Sequence, residues 1–260
     1  MRKLTNWFTK EIGKAAGIII ALLLWEAAPR LGWVDVTYVA PPSEVFQSLV
    51  ALLLSGDLMT HTLSSLKRVL AGLVLAIVLG IGLGIFIGLF KKIEYALDYL
   101  FQTFRQMSAF ALFPIFILFF GIGEVSKTVI VFWASLWPVL LNTISSVKGV
   151  DQLFIDSAKS MGASRLYIFY KVILPASAPG IFTGIRLGGS YAIMALVAAE
   201  MIGAQSGLGF LVLYSQETFK IEDMYAAIIG LALLGLALNW FLGFIEEKMT
   251  SWKQKSSLGM

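Results

Sequence analysis

Six apolar stretches, each close to twenty residues long, form the main pattern in this sequence. They cover residues 13–31, 69–90, 105–122, 127–147, 179–203 and 225–245. A helix needs about 20 mostly apolar residues to cross the hydrocarbon core of a bilayer. The pattern therefore predicts an all-α membrane protein with six transmembrane helices.

The first apolar stretch also resembles the core of a secretory signal peptide, because the basic residues Arg2, Lys3, Lys10 and Lys14 precede it. A signal peptide ends at a cleavage site made of small residues. No convincing site of this kind follows, and further apolar stretches come after it. We therefore expect this stretch to be retained as a transmembrane helix.

Three more polar segments connect the apolar stretches. Residues 32–64 contain Pro42-Ser43-Glu44, which starts an amphipathic helix ending near Ser55. We expect this helix to be interfacial or external. Residues 204–224 form a polar connection with glycines and acidic residues, and residues 148–178 form a basic connection that is rich in helix.

Lysine and arginine are distributed unequally between the two sides of the predicted bundle. If the N-terminus is inside, fourteen of these residues lie in inside segments and five lie outside. Arg105 belongs to the inside set, whereas Lys67 and Arg68 belong to the outside set. An excess of basic residues is typical of cytoplasmic loops. We therefore predict that both termini and residues 148–178 are cytoplasmic.

Composition supports a membrane protein and excludes several kinds of site. Hydrophobic residues make up 58% of the chain and charged residues 14%, against about 25% charged in ordinary soluble domains. The chain has no cysteine and a single histidine, His61, which excludes disulfides, cysteine-ligated metals and multi-histidine sites. The net charge of +4 is explained by loop placement rather than by nucleic-acid binding.

Residues 151–175 predict two short helices in a cytoplasmic loop. Asp151 can cap the first helix, which has an apolar stripe at Phe154, Ala158 and Met161, and Gly162 breaks it. A second helix follows, and we expect Pro175 to end it. Small side chains in the first helix would let a partner approach closely. An amphipathic segment lying on the bilayer is an equally good interpretation of the pattern alone.

The same segment resembles the EAA loop of permease subunits in ATP-binding-cassette (ABC) importers. That loop reads Glu-Ala-Ala, three residues, Gly, nine residues and Ile-x-Leu-Pro. Here Asp156-Ser157-Ala158, Gly162 and Val172-Ile173-Leu174-Pro175 have the same spacing, with Asp for Glu and Ser for Ala as departures. The similarity extends over residues 38–250, and it is strongest to the branch that serves nitrate, sulfonate, taurine and bicarbonate uptake.

The resemblance implies a type I importer permease in a bacterial inner membrane. Residues 1–57 would hold the first helix and the external segment, 58–247 the transmembrane domain, and 248–260 a cytoplasmic tail. The loop at 150–175 would dock on a separate ATPase subunit, one of two in the importer, and these subunits bind the ATP and Mg²⁺, so no cofactor, metal or catalytic residue is expected on this chain. A second permease copy and an extracytoplasmic binding protein are further expected partners. The docking residues would be Asp156, Ser157, Ala158, Met161, Gly162, Leu166, Leu174 and Pro175.

Polar residues inside two spans are candidates for a translocation pathway. Arg186, Ser190 and Glu200 lie on one face of the fifth span, opposite a stripe of glycines. Ionisable residues in a span rarely face lipid, so we expect this face to line a pore; for Arg186 the alternative is an interfacial anchor. Ser135 and Asn142 form a polar stripe in the fourth span, where pore lining and interhelical hydrogen bonding are equally good interpretations. The small-residue stripes predict close packing within one subunit.

Three functions compete at this point. An importer permease is favoured by the EAA spacing. A self-contained secondary transporter would show repeated halves, and a membrane enzyme would need clustered catalytic groups in the spans. Neither repeated halves nor clustered catalytic groups are evident in the sequence. For the cargo, the family branch and Arg186 favour a small anion, and the alternative is a pyrimidine vitamin precursor or an aromatic compound.

Overall fold

The computed structural model describes residue 17 and residues 19–250. The basic residues 2, 3, 10 and 14, the first part of the span predicted at 13–31 and the tail from residue 251 lie outside this described part. Within it, helices are joined by turns, and no strand is present. The helices are α1 (19–30), α2 (Pro42–Leu54), α3 (Asp57–Leu89), α4 (Lys91–Gln106), α5 (Phe113–Phe120), α6 (Glu124–Lys148), α7 (Gln152–Ser160), α8 (Arg165–Ile168), α9 (Leu174–Met201), α10 (Leu208–Glu217) and α11 (Ile221–Met249).

The centre of the bundle is α6, which lies between two stripes of glycine. On α3, Gly72, Gly80 and Gly88 face the side chains of Val131, Val139 and Val147 in turn. The constant offset between the partners means that α3 and α6 are parallel. A Cβ added at Gly72 would lie 2.6 Å from the Val131 side chain, so the absence of a side chain permits this close approach. The predicted packing of the small-residue stripes within one subunit is confirmed.

Helix α9 packs on the other side of α6 and runs in the opposite direction. Its Gly180, Gly184 and Gly188 face Ser146, Asn142 and Val139, so the partner numbers fall as the α9 numbers rise. Helix α11 runs antiparallel to α9, because Gly189 meets Leu242 and Gly235 meets Ile193. Helices α3, α6 and α11 therefore end at one end of the bundle. We call it the loop end, because residues 149–164 follow α6 there, and we call the other end the opposite end.

The chain returns between α3 and α6 through a broken helix. Because α3 and α6 are parallel, residues 91–120 must cross the bundle again, and they do so as α4 and α5 with a non-helical break at 107–112. The prediction of one helix over 105–122 is wrong. The passage starts at Lys91, and Pro114 in the first turn of α5 has a ring that clashes with a preceding helical turn.

Four unbroken helices of the described part are long and apolar enough to span a membrane: Asp57–Leu89, Glu124–Lys148, Arg165–Met201 and Ile221–Met249. Their outward faces expose large apolar side chains such as Val78, Leu236 and Trp240, as expected where lipid is the solvent. The α4–α5 passage and α1 are further apolar segments beside these four helices. Residues 208–217, which we expected to be part of a polar connection, form α10 and bury Leu208 and Leu211.

Candidate functional sites

The segment at the loop end, residues 151–175, which we call the loop-end segment, contains the two helices that the sequence predicts, α7 and α8, but only α7 is a separate short helix. Asp151 caps α7 by accepting a hydrogen bond from Leu153 N at 2.9 Å. Gly162 then takes φ +79°, a left-handed conformation that favours glycine. Ser164 caps α8 by accepting from Tyr167 N at 3.3 Å. The backbone conformation at Gly162 and the cap at Ser164 therefore fix the break between the two helices.

Pro175 does not end the second helix, contrary to the prediction. Residues Phe169–Ile173 form a π-helical turn, after which α9 begins at Leu174 with Pro175 in its first turn. The wider turn accommodates a residue that lacks an N–H and carries a bulky ring. Arg165–Met201 is consequently one continuous helix of 37 residues, so no non-helical residue separates α8 from the membrane-spanning part.

The outer surface of this segment is apolar and exposed. Met161 is 81% exposed and Leu166 is 69% exposed, whereas Leu174 and Pro175 are half-buried. Ala158 is only 5% exposed, so it packs against the chain itself and leaves Ser157 as the small residue at the surface. The expectation that both small residues face a partner therefore fails for Ala158.

Asp156 lies exposed on α7 and is held by its own helix. Gln152 Nε2 and Lys159 Nζ donate hydrogen bonds to its carboxylate at 3.0 and 3.1 Å. These bonds hold the pKa of Asp156 below its ordinary value, so the side chain is a carboxylate at neutral pH. It is the negative charge at the position where the EAA pattern has Glu.

A cavity of about 490 Å³ lies at the break between α4 and α5, where α6 and α9 form its other walls. Its aromatic wall consists of Trp133 and Trp137, whose ring centroids are 5.2 Å apart. Phe104 stacks on Trp137 at 5.7 Å. Arg105 and Asn142 supply polar groups to the lining. The cavity combines a large apolar surface with a few polar groups, which is typical of small-molecule sites.

The predicted pore residues do not share one pathway. Asn142 lines the cavity, with Nδ2 donating to Pro138 O at 2.8 Å. Ser135 is fully buried and donates to Val131 O at 2.8 Å, which is a bond within α6. Ser190 is exposed and donates to Arg186 O at 3.4 Å. Of the five candidates, the remaining two lie fourteen residues apart on α9, with Arg186 near its middle and Glu200 at its end.

Arg186 faces α11 rather than the cavity. Its Nη2 lies 2.5 Å from Glu246 Oε2, and a Cβ at Gly243 would lie 3.0 Å from the same guanidinium nitrogen. This ion pair lies in a separate polar cleft near the loop end, together with Asn239. The charge of Arg186 is therefore matched within the chain.

Glu200 is buried at the opposite end with no exposed surface. Arg68 Nη1 donates to its carboxylate at 2.7 Å, and Ser65 Oγ donates at 2.8 Å. Gly209 N donates to the other oxygen at 2.9 Å. A Cβ at Gly207 would lie 2.3 Å from the Glu200 carboxylate, so the glycines after α9 leave space for this group.

Arg68 extends the same cluster to the surface. It is 4% exposed, and its Nε and Nη2 donate to both carboxylate oxygens of Glu124 at 2.5 and 2.8 Å. Its Nη1 also donates to Ser206 O at 2.6 Å. The sequence analysis missed Arg68, Glu124 and Ser65. The available signal was that an arginine and two acids each lie near the end of an apolar stretch.

Among the residues that the structure describes, no group of three His, Asp or Glu could hold a metal ion. The candidate functional features of this described part are the buried ion cluster, the polar cleft at Arg186, the cavity and the exposed loop-end segment.

Comparison with known proteins links this geometry to membrane transport. Residues 57–251 match the family described as binding-protein-dependent transport system inner membrane component. The chain is 32% identical over 247 residues to a putative aliphatic sulfonates transport permease of Bacillus subtilis, covering 94% of this chain and 90% of the relative. It is 32% identical over 254 residues to the taurine transport system permease of Escherichia coli, covering 96% and 91%.

The fold is similar to that of a solved transporter chain. An inward-facing structure of the MetNI methionine ABC transporter superposes with a TM-score of 0.65 at 16% identity, covering 76% of this chain and 98% of that one. At this identity the similarity concerns the fold alone. It agrees with the type I importer permease fold expected from the sequence.

Proposed function

The chain belongs to the family of binding-protein-dependent transport system inner membrane components, the permeases of ABC importers, and we propose that its cargo is a small organic sulfonate. The names of two relatives that cover nine-tenths or more of this chain support this cargo, since they concern aliphatic sulfonates and taurine. The cavity at the α4–α5 break is the observation that carries the proposal. It has one charged lining residue, Arg105, beside an apolar wall.

Within the importer, this chain would form the path through the membrane while other subunits bind ATP and select the cargo. We propose that the loop-end segment docks on one of two ATPase subunits, that a second copy of the chain completes the path and docks on the other, and that an external binding protein delivers the cargo at the opposite end. The cavity opens on a face with exposed Tyr191 and Met194, which supports a second copy there. The loop end would be cytoplasmic, as the distribution of Lys and Arg indicates.

A second cargo is favoured by a specific feature of the same cavity. The pair Trp133–Trp137 and the stacked Phe104 form a wall on which a planar ring would pack well. A pyrimidine vitamin precursor or another aromatic compound is therefore the alternative, carried by the same importer architecture.

Uptake by the reconstituted importer distinguishes the two cargoes. Proteoliposomes holding the permease, its ATPase subunits and its binding protein would be given ³⁵S-taurine, ¹⁴C-ethanesulfonate or a ¹⁴C-labelled hydroxymethylpyrimidine. We expect ATP-dependent accumulation of at least one sulfonate and none of the pyrimidine. Accumulation of the pyrimidine alone would show that the cargo is aromatic, and vesicles without ATP serve as the control.

A further inference from the structure

Arg105 lies at mid-depth in the bundle, although its sequence position at the start of an apolar stretch indicates a loop. Helix α4 leaves the loop end, where Lys148 Nζ contacts Glu94 Oε1. Phe101 and Phe104, seven and ten residues later, pack on Trp137, so Arg105 is level with the middle of α6. Trp137 is about 20 Å from the start of α6 and about 16 Å from its end, at 1.5 Å per residue.

The charge of Arg105 has no counterpart within the described part of the chain. No carboxylate there lies within ion-pair distance of its guanidinium, and the cavity that it lines contains no Asp or Glu. By contrast, Arg68 is matched by Glu200 and Glu124, and Arg186 is matched by Glu246. The Arg105 side chain is exposed on the surface of the single chain, at a depth where a cation that faces lipid is costly unless an anion or water accompanies it.

The helix break adds hydrogen-bond donors beside this cation. Ser108, Ala109 and Phe110 follow Arg105 closely and line the same cavity, and within residues 19–250 their backbone N–H groups donate to no acceptor. They precede the N-terminus of α5, which carries the positive end of the helix dipole. In secondary transporters, N-termini of broken helices near mid-depth point at anionic groups of the cargo, and the α4–α5 break offers the same local geometry.

We infer that Arg105 and the backbone of the α4–α5 break form an anion-binding site in the membrane, and that Trp133 and Trp137 hold the organic part of the cargo. The inference rests on the proposed function and makes it more specific. A sulfonate group would lie between the guanidinium and the N–H groups, and a short carbon chain would contact the indole rings. The site replaces Arg186 as the anion contact, because Arg186 is already paired.

Uptake by variants that change the charge at Arg105 tests the role of this residue in transport. The complete importer would be reconstituted with Arg105→Gln, Arg105→Lys or, as matched control, Arg186→Gln, and given ³⁵S-taurine and ¹⁴C-ethanesulfonate. We expect Arg105→Gln to lower ATP-dependent uptake at least tenfold while the complex still purifies with its ATPase subunits. Arg105→Lys should retain at least a third of the wild-type rate, and Arg186→Gln should stay within threefold of it.

Fluorescence quenching tests the anion site independently of the cargo. In the full-length chain with Phe at the other five tryptophans, Trp133 and Trp137 would be quenched by iodide and, separately, by neutral acrylamide. We expect Arg105→Gln to lower the Stern–Volmer constant for iodide at least threefold and to leave that for acrylamide unchanged. Arg186→Gln should alter neither constant.

The two measurements separate the failure of the inference from the failure of the proposed cargo. If the wild type accumulates a sulfonate and Arg105→Gln matches it in uptake and in iodide quenching, the site is refuted and the function stands. If the wild type accumulates no sulfonate but iodide quenching depends on Arg105, the cargo is wrong and the anion site stands. Quenching that is independent of Arg105 refutes the site in either case.

Discussion

Gly84 and Gly82 lie on the same helix, two residues apart, and have opposite surroundings. A Cβ at Gly84 would lie 2.6 Å from Thr143 Cβ on α6, whereas a Cβ at Gly82 would meet nothing within 4 Å. The contact at Gly84 involves the branched carbon and the neighbouring backbone, so no flexible side-chain end can move aside. The close approach of α3 and α6 therefore requires a glycine at position 84 but not at position 82.

This contrast gives a prediction for two single-methyl substitutions. Gly84→Ala should separate α3 from α6 and destabilise the permease by about 1–3 kcal/mol, the usual cost of overpacking. Gly82→Ala should leave stability unchanged or raise it slightly, because Ala favours helix by about 1 kcal/mol over Gly. Thermal unfolding in detergent, followed by the loss of the monodisperse peak, measures both. Equal midpoints would contradict the packing described for Gly84.

Some single residues could be assigned a role from the sequence, and others could not. The glycine stripes could be predicted because their fourfold spacing lies within one helix. The ion cluster could not, since Arg68 and Glu200 are 132 residues apart and a charge near the end of an apolar stretch is usually assigned to a loop. Arg105 was missed for a related reason, because hydropathy does not show that α4 begins fourteen residues earlier.

At the scale of elements, the segment from α7 to α8 has an apolar surface that its own packing does not cover. Its exposed apolar residues Met161 and Leu166 have no neighbours that cover them. The EAA spacing, helix α7 and the break at Gly162 could be predicted from the sequence, whereas the continuation of α8 into α9 could not. The burial of Ala158 could not, because it depends on how α7 folds back on residues near Pro175.

The docking proposal predicts a selective effect of charge on this surface. Leu166→Glu should release the ATPase subunits, because a buried unpaired carboxylate in the interface costs several kcal/mol, and a loss of about 3 kcal/mol lowers association more than a hundredfold. Co-purification of the ATPase with the tagged permease measures the effect.

Ile122→Glu is the matched control for this experiment. Ile122 is 76% exposed and lies at the opposite end of the bundle, so this variant should keep its ATPase. If Leu166→Glu also keeps the ATPase but binds lipid vesicles less well, the segment lies on the bilayer instead of docking a partner.

At the scale of the whole molecule, the directions of the helices show which segments lie on the same side of the membrane as the loop end. The loop-end segment and the end of α11 are on one side, and the α10–α11 connection is on the other, because α6 and α11 both run towards the loop end. The placement of these segments at the two ends follows from helix packing. Packing does not determine which end faces the cytoplasm, but the excess of Lys and Arg at the loop end predicts that the loop end does.

Two single-cysteine variants test this orientation, because the native chain has no cysteine. Ser160 in α7 and Thr218 after α10 are both exposed. In intact cells, an impermeant maleimide should label Thr218→Cys and leave Ser160→Cys unlabelled until the membrane is opened. The reverse pattern would place the loop end outside and exclude ATPase docking there.

The continuity of the helix Arg165–Met201 gives the molecule a lever. Its length is about 55 Å at 1.5 Å per residue, and its two ends carry the loop-end segment and Glu200. The row Gly180, Gly184 and Gly188 packs against α6 near the middle of this length. If the helix pivots about this contact as a rigid body, a sideways displacement of α8 would move Glu200 by a similar distance in the opposite direction.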